Sequence, residues 1–375
     1  MGTHFSAGPI ARKPTLGTGS RRISGMLRVL RLRDFRPFLD AVFDPVAGDN
    51  FIVGPNAQGK TSILEAACLL LRLQSPRAAA LGECVRFGTP GFAIDGRWDD
   101  RHLHLKFEGR LKRFSLDSKE QVAAVEYLSV ARVAWISNGD LDLVTGPGSA
   151  RRRYLDFSGV QLVAGYLKSL RSYERALRSR NALLRDGRPR REVEAFDGPL
   201  STAGDFLLNA RARLCEELAP LAEASSRSIS GGGEPLGFGY LPGARTGMSA
   251  ALSAAMEEDI RLRTTTVGPH RDEVTLTLSG RSAATYASEG QQRSTALGLK
   301  LAQADHIAQT SGSPPLYLID DVFGELDPVR RNNLLAALPA GAQKLITATS
   351  LDWADGLHRN GALFQIEGGG LRRVA

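Results

Sequence analysis

The fold of this chain is decided by one stretch, Gly54-Pro55-Asn56-Ala57-Gln58-Gly59-Lys60-Thr61. An apolar segment, residues 51–53, precedes it, and a segment rich in Leu and Ala follows from Lys60 to about residue 73. Glycine lets a backbone bend tightly around phosphate, so that several N–H groups point inward. The order of strand, loop and helix therefore predicts a P-loop, whose helix N-terminus faces the phosphates of a nucleotide.

The residues of this loop have separate expected tasks at the nucleotide. Lys60 would reach the β- and γ-phosphates, and the hydroxyl of Thr61 would bind Mg²⁺. The remaining residues would surround the phosphates with main-chain groups: Gly54, Pro55, Asn56, Ala57, Gln58 and Gly59. The alternative is a glycine-rich turn without a ligand. The motif predicts ATP and Mg²⁺ as cofactors.

The acidic partner of the P-loop lies far along the chain. Residues 316–319 are apolar and are followed by Asp320 and Asp321. Ligands bind at the carboxyl ends of strands in open α/β sheets, which is where these two carboxylates would lie. Asp320 would hold Mg²⁺, and Asp321 would orient or deprotonate the attacking water. Together with Lys60, they are the predicted catalytic residues of an ATPase.

A third motif, residues 288–293, precedes that acidic strand. Ser288 and Gln291 have the spacing of a capping box, so the segment can be explained as a well-formed helix start. Alternatively, Ser288, Gly290 and Gln291 form a second phosphate sensor at a helix N-terminus. One P-loop does not normally use two such sensors in one subunit. This second interpretation therefore predicts a homodimer that forms on ATP, with the sensor acting on the nucleotide of the partner.

Composition and charge limit the class of protein. The chain has 375 residues, 42% of them hydrophobic and 23% charged, which fits a globular protein with room for two domains. No apolar run is long enough to span a bilayer, so we expect no membrane association. The three cysteines are far apart and follow no metal-binding spacing, so we expect a reducing compartment, the cytoplasm, and no structural zinc. Residues 1–25 are basic and lack acidic residues, which predicts a disordered tail, with an organelle transit peptide as the alternative.

Hydrophobic periodicity divides the remaining chain. Short strands are predicted at 92–98, 102–107, 109–116 and 125–130, giving a β subdomain in the first half of an ATPase head, residues 26–150. Apolar residues then recur at helical spacing over 154–185 and 200–221, which predicts an antiparallel helical arm within residues 151–262. Residues 263–375 would complete the head.

The arm carries most of the positive charge of the chain. Residues 151–213 contain 14 Lys or Arg against seven Asp or Glu, an excess of seven, in a chain of net charge +8. Such a face is often only a solvated surface. A basic face on an ATPase can also bind nucleic acid through phosphates, without reading sequence. The candidate DNA contacts are Arg175, Arg178 and Arg180.

Taken in order, residues 54–61, 288–293 and 316–327 resemble the motifs of ABC-type heads of the SMC superfamily and, more closely, of the RecF family. Residues 32–36, 140–146, 151–156 and 268–272 resemble further segments of that family, and the resemblance extends from Met26 to near the C-terminus. It implies an α/β fold: an ABC-type P-loop ATPase head, with a mixed sheet, flanking helices and a β subdomain, and an inserted antiparallel helical arm.

The resemblance also implies a function. RecF proteins dimerise on ATP, bind double-stranded DNA at gaps, and hydrolyse ATP slowly, stimulated by DNA, as a switch. They act with RecO and RecR to load recombinase in repair, replication and the SOS response. By the same resemblance, Arg36 approaches the nucleotide and Asp327 belongs to a D-loop that connects the two sites.

Two other functional classes stay open at this point. An ABC-type nucleotide-binding subunit of a transporter is opposed by the basic arm and by the sequence of residues 288–292. A scaffold that binds nucleotide without hydrolysing it is compatible with Asp321, since its side chain is shorter than that of Glu. Residues 137–140 depart from the usual Pro-Glu-Asp of the family, which leaves the residue beside the γ-phosphate unassigned. His270 either stabilises a loop or lies near the nucleotide surface.

Overall fold

The computed structural model describes residues 25–120, 124–354 and 361–374. Except for Gly25, the predicted disordered tail lies outside the described residues. The strands are β1 (Leu27–Phe35), β2 (Phe38–Phe43), β3 (Asp49–Val53), β4 (Gly91–Trp98), β5 (Arg101–Glu108), β6 (Leu111–Leu116), β7 (Lys119–Glu120), β8 (Val133–Ser137), β9 (Leu236–Leu241), β10 (Glu273–Leu278), β11 (Arg281–Ser282), β12 (Leu316–Asp320), β13 (Lys344–Ala348), β14 (Ala362–Glu367) and β15 (Gly370–Arg373). The helices are α1 (Lys60–Arg72), α2 (Ala124–Ser129), α3 (Gly148–Leu162), α4 (Tyr166–Arg185), α5 (Arg190–Glu194), α6 (Asp197–Ser230), α7 (Met248–Leu262), α8 (Ala283–Tyr286), α9 (Glu289–Ser311) and α10 (Pro328–Ala337).

The central sheet brings the two halves of the predicted site together. Its strand order is β15-β14-β3-β13-β12-β8, and all neighbouring pairs are parallel except β14 with β15. The apolar runs of β8 and β12 are buried, as expected for strands covered on both faces. Because parallel strands end at one edge, the P-loop after β3 and Asp320 at the end of β12 lie on the same side of the sheet.

Helix α1 is buried between the central sheet and a second, antiparallel sheet of order β2-β1-β4-β5-β6-β7. This second sheet is the predicted β subdomain, but residues 125–130 are not one of its strands. They belong largely to α2, where Ala124, Tyr127 and Leu128 share one buried face. Tyr127 also donates a hydrogen bond to the carbonyl of Leu70 (2.8 Å). The spacing of these buried residues, three and four positions apart, is that of a helix, whereas the β-branched Val125 and Val130 favour a strand.

The arm contains two long helices, as predicted, with different limits. Gly165 (φ 82°) separates α3 from α4, and α6 continues to Ser230 before Gly231 ends it in the left-handed conformation. Side chains of α4 bind both the start of α6, through Arg180 to Asp197, and its middle, through Tyr166 and Arg211. The two helices are therefore antiparallel. The predicted boundary at residue 150 falls inside α3.

Helix α6 continues from the arm onto the head, where it packs against α9. At Gly298 of α9, an added Cβ would lie 2.7 Å from the main-chain N and Cα of Ser226. Such close approach requires glycine, because any larger residue would push the two helices apart. Helix α6 is thus in direct contact with the helix that begins at the third motif, residues 288–293, which is called the signature motif below.

Candidate nucleotide site

The P-loop has a conformation that its two glycines make possible. Gly59 is the N-cap of α1 with φ 105°, and a Cβ there would lie 2.8 Å from Cζ of Phe38. At Gly54, a Cβ would lie 2.3 Å from the carbonyl oxygen of Ile366. Both positions exclude side chains, and Gly59 also needs the left-handed backbone. The loop is consequently held close to the neighbouring strands, with the N-terminus of α1 open towards it.

Lys60 is buried and directed into this loop. Its Nζ donates hydrogen bonds to the carbonyl oxygens of Gly54 (2.7 Å) and Pro55 (2.9 Å). Burial lowers the pKa of Lys60, while the charges of Asp321 and Asp320 act in the opposite direction. The ammonium therefore stands inside the loop that is predicted to surround the phosphates.

Three side-chain oxygens meet at the edge of the central sheet. Oγ1 of Thr61 donates to Oδ1 of Asp320 (2.7 Å), and Oγ1 of Thr347 donates to the same oxygen (2.9 Å). Thr347 lies on β13, directly opposite Asp320 in the strand register. Hydroxyl and carboxylate oxygens are suitable ligands for Mg²⁺, so the donor set of Thr61 and Asp320 fits that ion. The sequence analysis did not identify Thr347, although it is a polar residue near the end of an apolar strand.

Asp321 has an unusual backbone conformation at the same edge. Its φ is 54°, in the left-handed region that few non-glycine residues adopt. Two contacts hold it: its N–H donates to Oγ1 of Thr347 (2.9 Å), and Nδ2 of Asn138 donates to its carbonyl oxygen (2.9 Å). Burial raises the pKa of the Asp321 carboxyl; Lys60 opposes this rise, and Asp320 and Glu325 add to it. A carboxylate with a raised pKa is a better proton acceptor.

Two adjoining cavities surround these groups. A pocket of about 300 Å³ is lined by Pro37, Asn56, Ala57, Gly59, Lys60, Thr61, Ser62, Arg77 and Asp321. A neighbouring cleft of about 570 Å³ shares Thr61, Arg77 and Asp321 and also contains Asp320 and Asn138. Arg77 was not identified from the sequence. It reaches the pocket because the chain after α1 turns back along the helix, where Oγ of Ser75 donates to the carboxylate of Glu65 (2.6 Å).

Arg36 lies beside the pocket, with its guanidinium already bound. Nε and Nη2 donate to the buried carboxylate of Glu65 (both 2.9 Å), and Nη1 donates to the carbonyl of Glu83 (2.7 Å). Its neighbour Pro37, rather than Arg36, lines the P-loop pocket. A direct contact between Arg36 and the nucleotide stays a prediction.

The cleft next to the P-loop is also lined by a buried pair of opposite charges, Asp140 and Lys300. Oδ2 of Asp140 accepts a hydrogen bond from the N–H of Ser137 (2.6 Å), and its Oδ1 lies 3.6 Å from Nζ of Lys300. Burial raises the pKa of Asp140, and Lys300 opposes the rise. Because Lys300 belongs to α9, the helix that starts at the signature motif also contributes to the cleft of its own chain. Periodicity in the sequence had given no sign of this pair.

The signature motif forms the capping box that the sequence predicts. The N–H of Ser288 donates to Oε1 of Gln291 (2.7 Å), and the N–H of Gln291 donates to Oγ of Ser288 (3.3 Å). Ser288 is exposed, and among the described residues that line the P-loop pocket there is none from 288–291. The motif therefore forms no part of the P-loop pocket of its own chain.

The predicted D-loop is in contact with the signature helix. Asp327 caps α10 by accepting from the N–H of Arg330 (3.0 Å), and it pairs with the Arg330 guanidinium. Nε of Arg330 donates to Oγ of Ser294 on α9 (2.9 Å), and its guanidinium covers Gly290 so closely that a Cβ there would lie 2.8 Å away. One arginine thus joins Asp327 to the signature motif.

His270 is a structural residue at the junction of head and arm. Nδ1 is 2.7 Å from the hydroxyl of Tyr173 on α4, and Nε2 is 2.9 Å from the carbonyl of Thr265. Burial lowers the pKa of His270 to about 4, so the ring is neutral at physiological pH. It lines neither the P-loop pocket nor the adjoining cleft.

The three candidate DNA contacts on α4 differ in exposure. Arg175 and Arg178 are exposed, whereas Arg180 is completely buried. Arg180 donates to Asp197 (2.9 Å), Asp259 (2.6 Å) and the hydroxyl of Thr265 (2.9 Å). The assignment of Arg180 to DNA is wrong: two residues correspond to about 200° around a helix, so Arg178 and Arg180 face opposite sides.

Comparison with known proteins agrees with this architecture. The family model described as an AAA domain matches residues 30–119. The DNA replication and repair protein RecF of Myxococcus xanthus is 36% identical over 343 residues, covering 86% of this chain and 90% of the relative. The RecF protein of an Anaeromyxobacter species is 38% identical over 363 residues, covering 91% and 97%.

Comparison with solved structures also finds similarity to RecF. A structure of the recombination mediator protein RecF with ATP in the RecFOR pathway has a TM-score of 0.84 and 26% identity, covering 95% of this chain and all of that one. An Smc head bound to a domain of ScpA shares only the fold (TM-score 0.51, 14% identity; 93% of this chain, 96% of that chain). Within the described residues, no helix has the length and apolarity to span a membrane. The chain belongs to the RecF family of DNA replication and repair proteins.

Proposed function

We propose that this protein is an ATP-dependent, DNA-binding recombination mediator in which nucleotide binding and hydrolysis act as a switch. The convergence of Thr61, Asp320 and Thr347 beside Lys60 carries this proposal. The P-loop and Asp320 are separated in sequence but adjacent in space, and together they provide the groups that phosphoryl transfer requires.

The residues divide the work of hydrolysis. Thr61 and Asp320 would hold Mg²⁺, which supplies positive charge where the phosphate oxygens become more negative. Lys60 exchanges its carbonyl partners for the β- and γ-phosphate oxygens, and Arg77, which also lines the pocket, adds a second cation. Asp321 accepts the proton of the attacking water, and its raised pKa suits this role.

Dimerisation completes the site. Ser288, Gly290 and Gln291 do not line the P-loop pocket of their own chain, which supports a role in which the N-terminus of α9 approaches phosphate on a second copy. Asp327 communicates between the two sites through its contact with Arg330 and hence with α9. ATP binding would therefore close a homodimer, and hydrolysis would open it.

Membership of the RecF family supports a proposal for the cellular role. We place the protein in the cytoplasm, where it binds double-stranded DNA at gaps, acts with RecO and RecR, and helps to load recombinase in repair, replication and the SOS response. Exposed arginines of α4, Arg175 and Arg178 among them, provide contacts to DNA. ATP hydrolysis is slow and stimulated by DNA.

The test combines turnover with assembly. ATPase rate and sedimentation are measured with and without duplex DNA for the wild type, Lys60→Ala and Asp321→Asn. We expect ATP to produce a dimer of the wild type, DNA to raise its turnover, Lys60→Ala to lose both, and Asp321→Asn to dimerise without turnover. If DNA changes neither turnover nor dimerisation, the switch is refuted.

A second candidate function is a scaffold that binds ATP without hydrolysing it. The constrained backbone and short side chain of Asp321 favour it. In that case the wild type would dimerise on ATP and behave like Asp321→Asn in every turnover assay. Family membership removes the transporter alternative.

A further inference from the structure

Five cations form a single line on the outer face of α4. All five are exposed, and we call them the α4 stripe: Lys168, Arg171, Arg175, Arg178 and Arg185. At about 100° per residue they lie within an arc of about 100°, opposite the face that α4 buries. With a rise of about 1.5 Å per residue, the stripe is about 26 Å long.

The stripe has no partner of opposite charge within the described residues. None of its five members forms an ion pair. By contrast, five other surface arginines of the arm are each paired with a glutamate three or four residues away: Arg188 with Glu192, Arg190 with Glu194, Arg213 with Glu217, Arg227 with Glu223 and Arg261 with Glu258. Pairing of this kind balances positive charge on a solvated helix, and it occurs at these five positions but at none of the five in the stripe.

One carboxylate, Glu174, lies beside the stripe without neutralising it. It is one turn from both Arg171 and Arg178, yet it approaches neither within the 4.0 Å of an ion pair. Burial raises its pKa, and the two arginines only partly oppose this rise. The two guanidinium groups remain available to an external anion.

The head adds a sixth cation near the stripe. Lys112 on β6 donates a hydrogen bond to the carbonyl of Leu73 (3.1 Å) and has no carboxylate partner in the described part of the chain. Its pKa is lowered, first by burial and then by the positive charge of Arg171. Two like charges are thus held near each other across the junction of head and arm. An anion bound between them would relieve that repulsion.

We propose that the α4 stripe together with Lys112 is a track for the phosphates of double-stranded DNA, running from the arm onto the head. The proposal rests on the DNA-binding function proposed above and names the surface that performs it. Lysines and arginines without aromatic neighbours contact phosphate and do not read bases. The two aromatic residues of α4, Tyr166 and Tyr173, are buried, so the stripe offers no stacking platform for single strands.

The test compares two triple variants of equal charge. One is Arg171→Ala/Arg175→Ala/Arg178→Ala, in the stripe; the control is Arg188→Ala/Arg213→Ala/Arg227→Ala, which removes three exposed arginines that are already paired. Binding of a fluorescent duplex longer than the stripe is measured by anisotropy over a series of salt concentrations, with ATP and Mg²⁺ present.

The two variants should differ strongly. For the stripe variant we expect affinity to fall about 10- to 100-fold at about 0.1 M salt, and the slope of log K against log salt to decrease by about 2 to 3, because each lost phosphate contact contributes about 0.9. The control should retain the wild-type slope within about 0.5. Lys112→Gln should reduce the slope by about 1. Circular dichroism and nucleotide binding show whether each variant is folded.

Each other result has a definite meaning. Equal losses of duplex affinity in both triple variants would mean that net charge alone explains the loss, and this would contradict the proposed track. Unchanged binding by the stripe variant, with a wild type that binds duplex, would place the DNA elsewhere and leave the proposed function intact. A loss of single-stranded but not duplex binding would also overturn the track. A wild type that binds no duplex would refute both proposals.

Discussion

The nucleotide site and the arm both depend on charged residues, but they position them in different ways. In the site, Lys60 and Asp320 are each held by short contacts to specific atoms: Lys60 donates to the carbonyl of Gly54, and Asp320 accepts from the hydroxyl of Thr61. On the arm, Arg178 is exposed without an ion pair, while Arg180, two residues away, is buried among carboxylates. A motif therefore specifies the chemistry of the site, whereas on the arm the side of the helix decides what an arginine does.

The largest effect is expected from removing Arg180, on the buried side of α4. We expect Arg180→Ala to lower the free energy of unfolding by about 3 to 5 kcal/mol, because Asp259 would be left buried without a counter-charge. Arg178→Ala should change it by no more than about 0.5 kcal/mol. Urea denaturation followed by circular dichroism measures both. Similar values for the two variants would mean that the two sides of α4 are not distinct.

The next largest effect concerns Asp320. Asp320→Ala removes the common acceptor of Thr61 and Thr347, and with it a predicted Mg²⁺ ligand. We expect turnover to fall by about 10²- to 10³-fold, as for other groups that stabilise charge in a transition state. Steady-state ATP hydrolysis is the measurement, and thermal unfolding is its control. Near-normal turnover by a folded variant would remove Asp320 from the mechanism.

The junction of the two regions should be sensitive to acid. The pKa of His270 is lowered from 6.5 to about 4 by burial, so the unfolded chain binds a proton at a higher pH than the folded chain does. Stability from this group is present above pH 6.5 and is lost as the pH falls from there towards 4, by roughly 3 kcal/mol. Urea unfolding of the wild type and His270→Gln across this range should show a flatter dependence for the variant. Parallel curves would contradict the role of His270.

The smallest effect tests how far the site extends beyond its motif. Thr347→Val removes one hydrogen bond to Asp320 and the acceptor of the Asp321 N–H. We expect turnover to fall by about fivefold, which corresponds to about 1 kcal/mol for a hydrogen bond. Thr347→Ser keeps the hydroxyl and should retain most activity. If the valine and serine variants behave alike, the hydroxyl has no part in positioning these carboxylates.

The sequence was informative where local residue types impose a conformation. The P-loop, the strand that ends at Asp320 and the capping box at Ser288 could all be predicted, because glycine, an apolar run and an N-cap act over a few residues. Thr347 and Arg77 could not be predicted in the same way. Thr347 is part of the site because β13 lies between β3 and β12, and Arg77 because the chain returns along α1.

The arm shows a different limit of sequence interpretation. Its helices and its excess of positive charge were evident from periodicity and composition. The side of α4 on which each arginine lies depends on which face of the helix packs against α6 and α7. The sequence alone did not show that Arg178 is exposed and Arg180 is buried. The same ambiguity made residues 125–130 look like a strand, since a single buried turn of helix has too few residues to show its period.

We propose that each ATP site is completed by two chains, and a mixture of two variants tests this directly. Equal amounts of Lys60→Ala and Ser288→Arg variants are mixed, and ATP hydrolysis is measured against each variant alone. In a mixed dimer, the intact P-loop of the Ser288→Arg chain meets the intact signature motif of the Lys60→Ala chain. We expect each variant alone to be inactive and the mixture to recover about a quarter of wild-type activity, because half of the dimers would be mixed, with one intact site of two. Activity in the mixture no greater than the sum of the separate variants would contradict it.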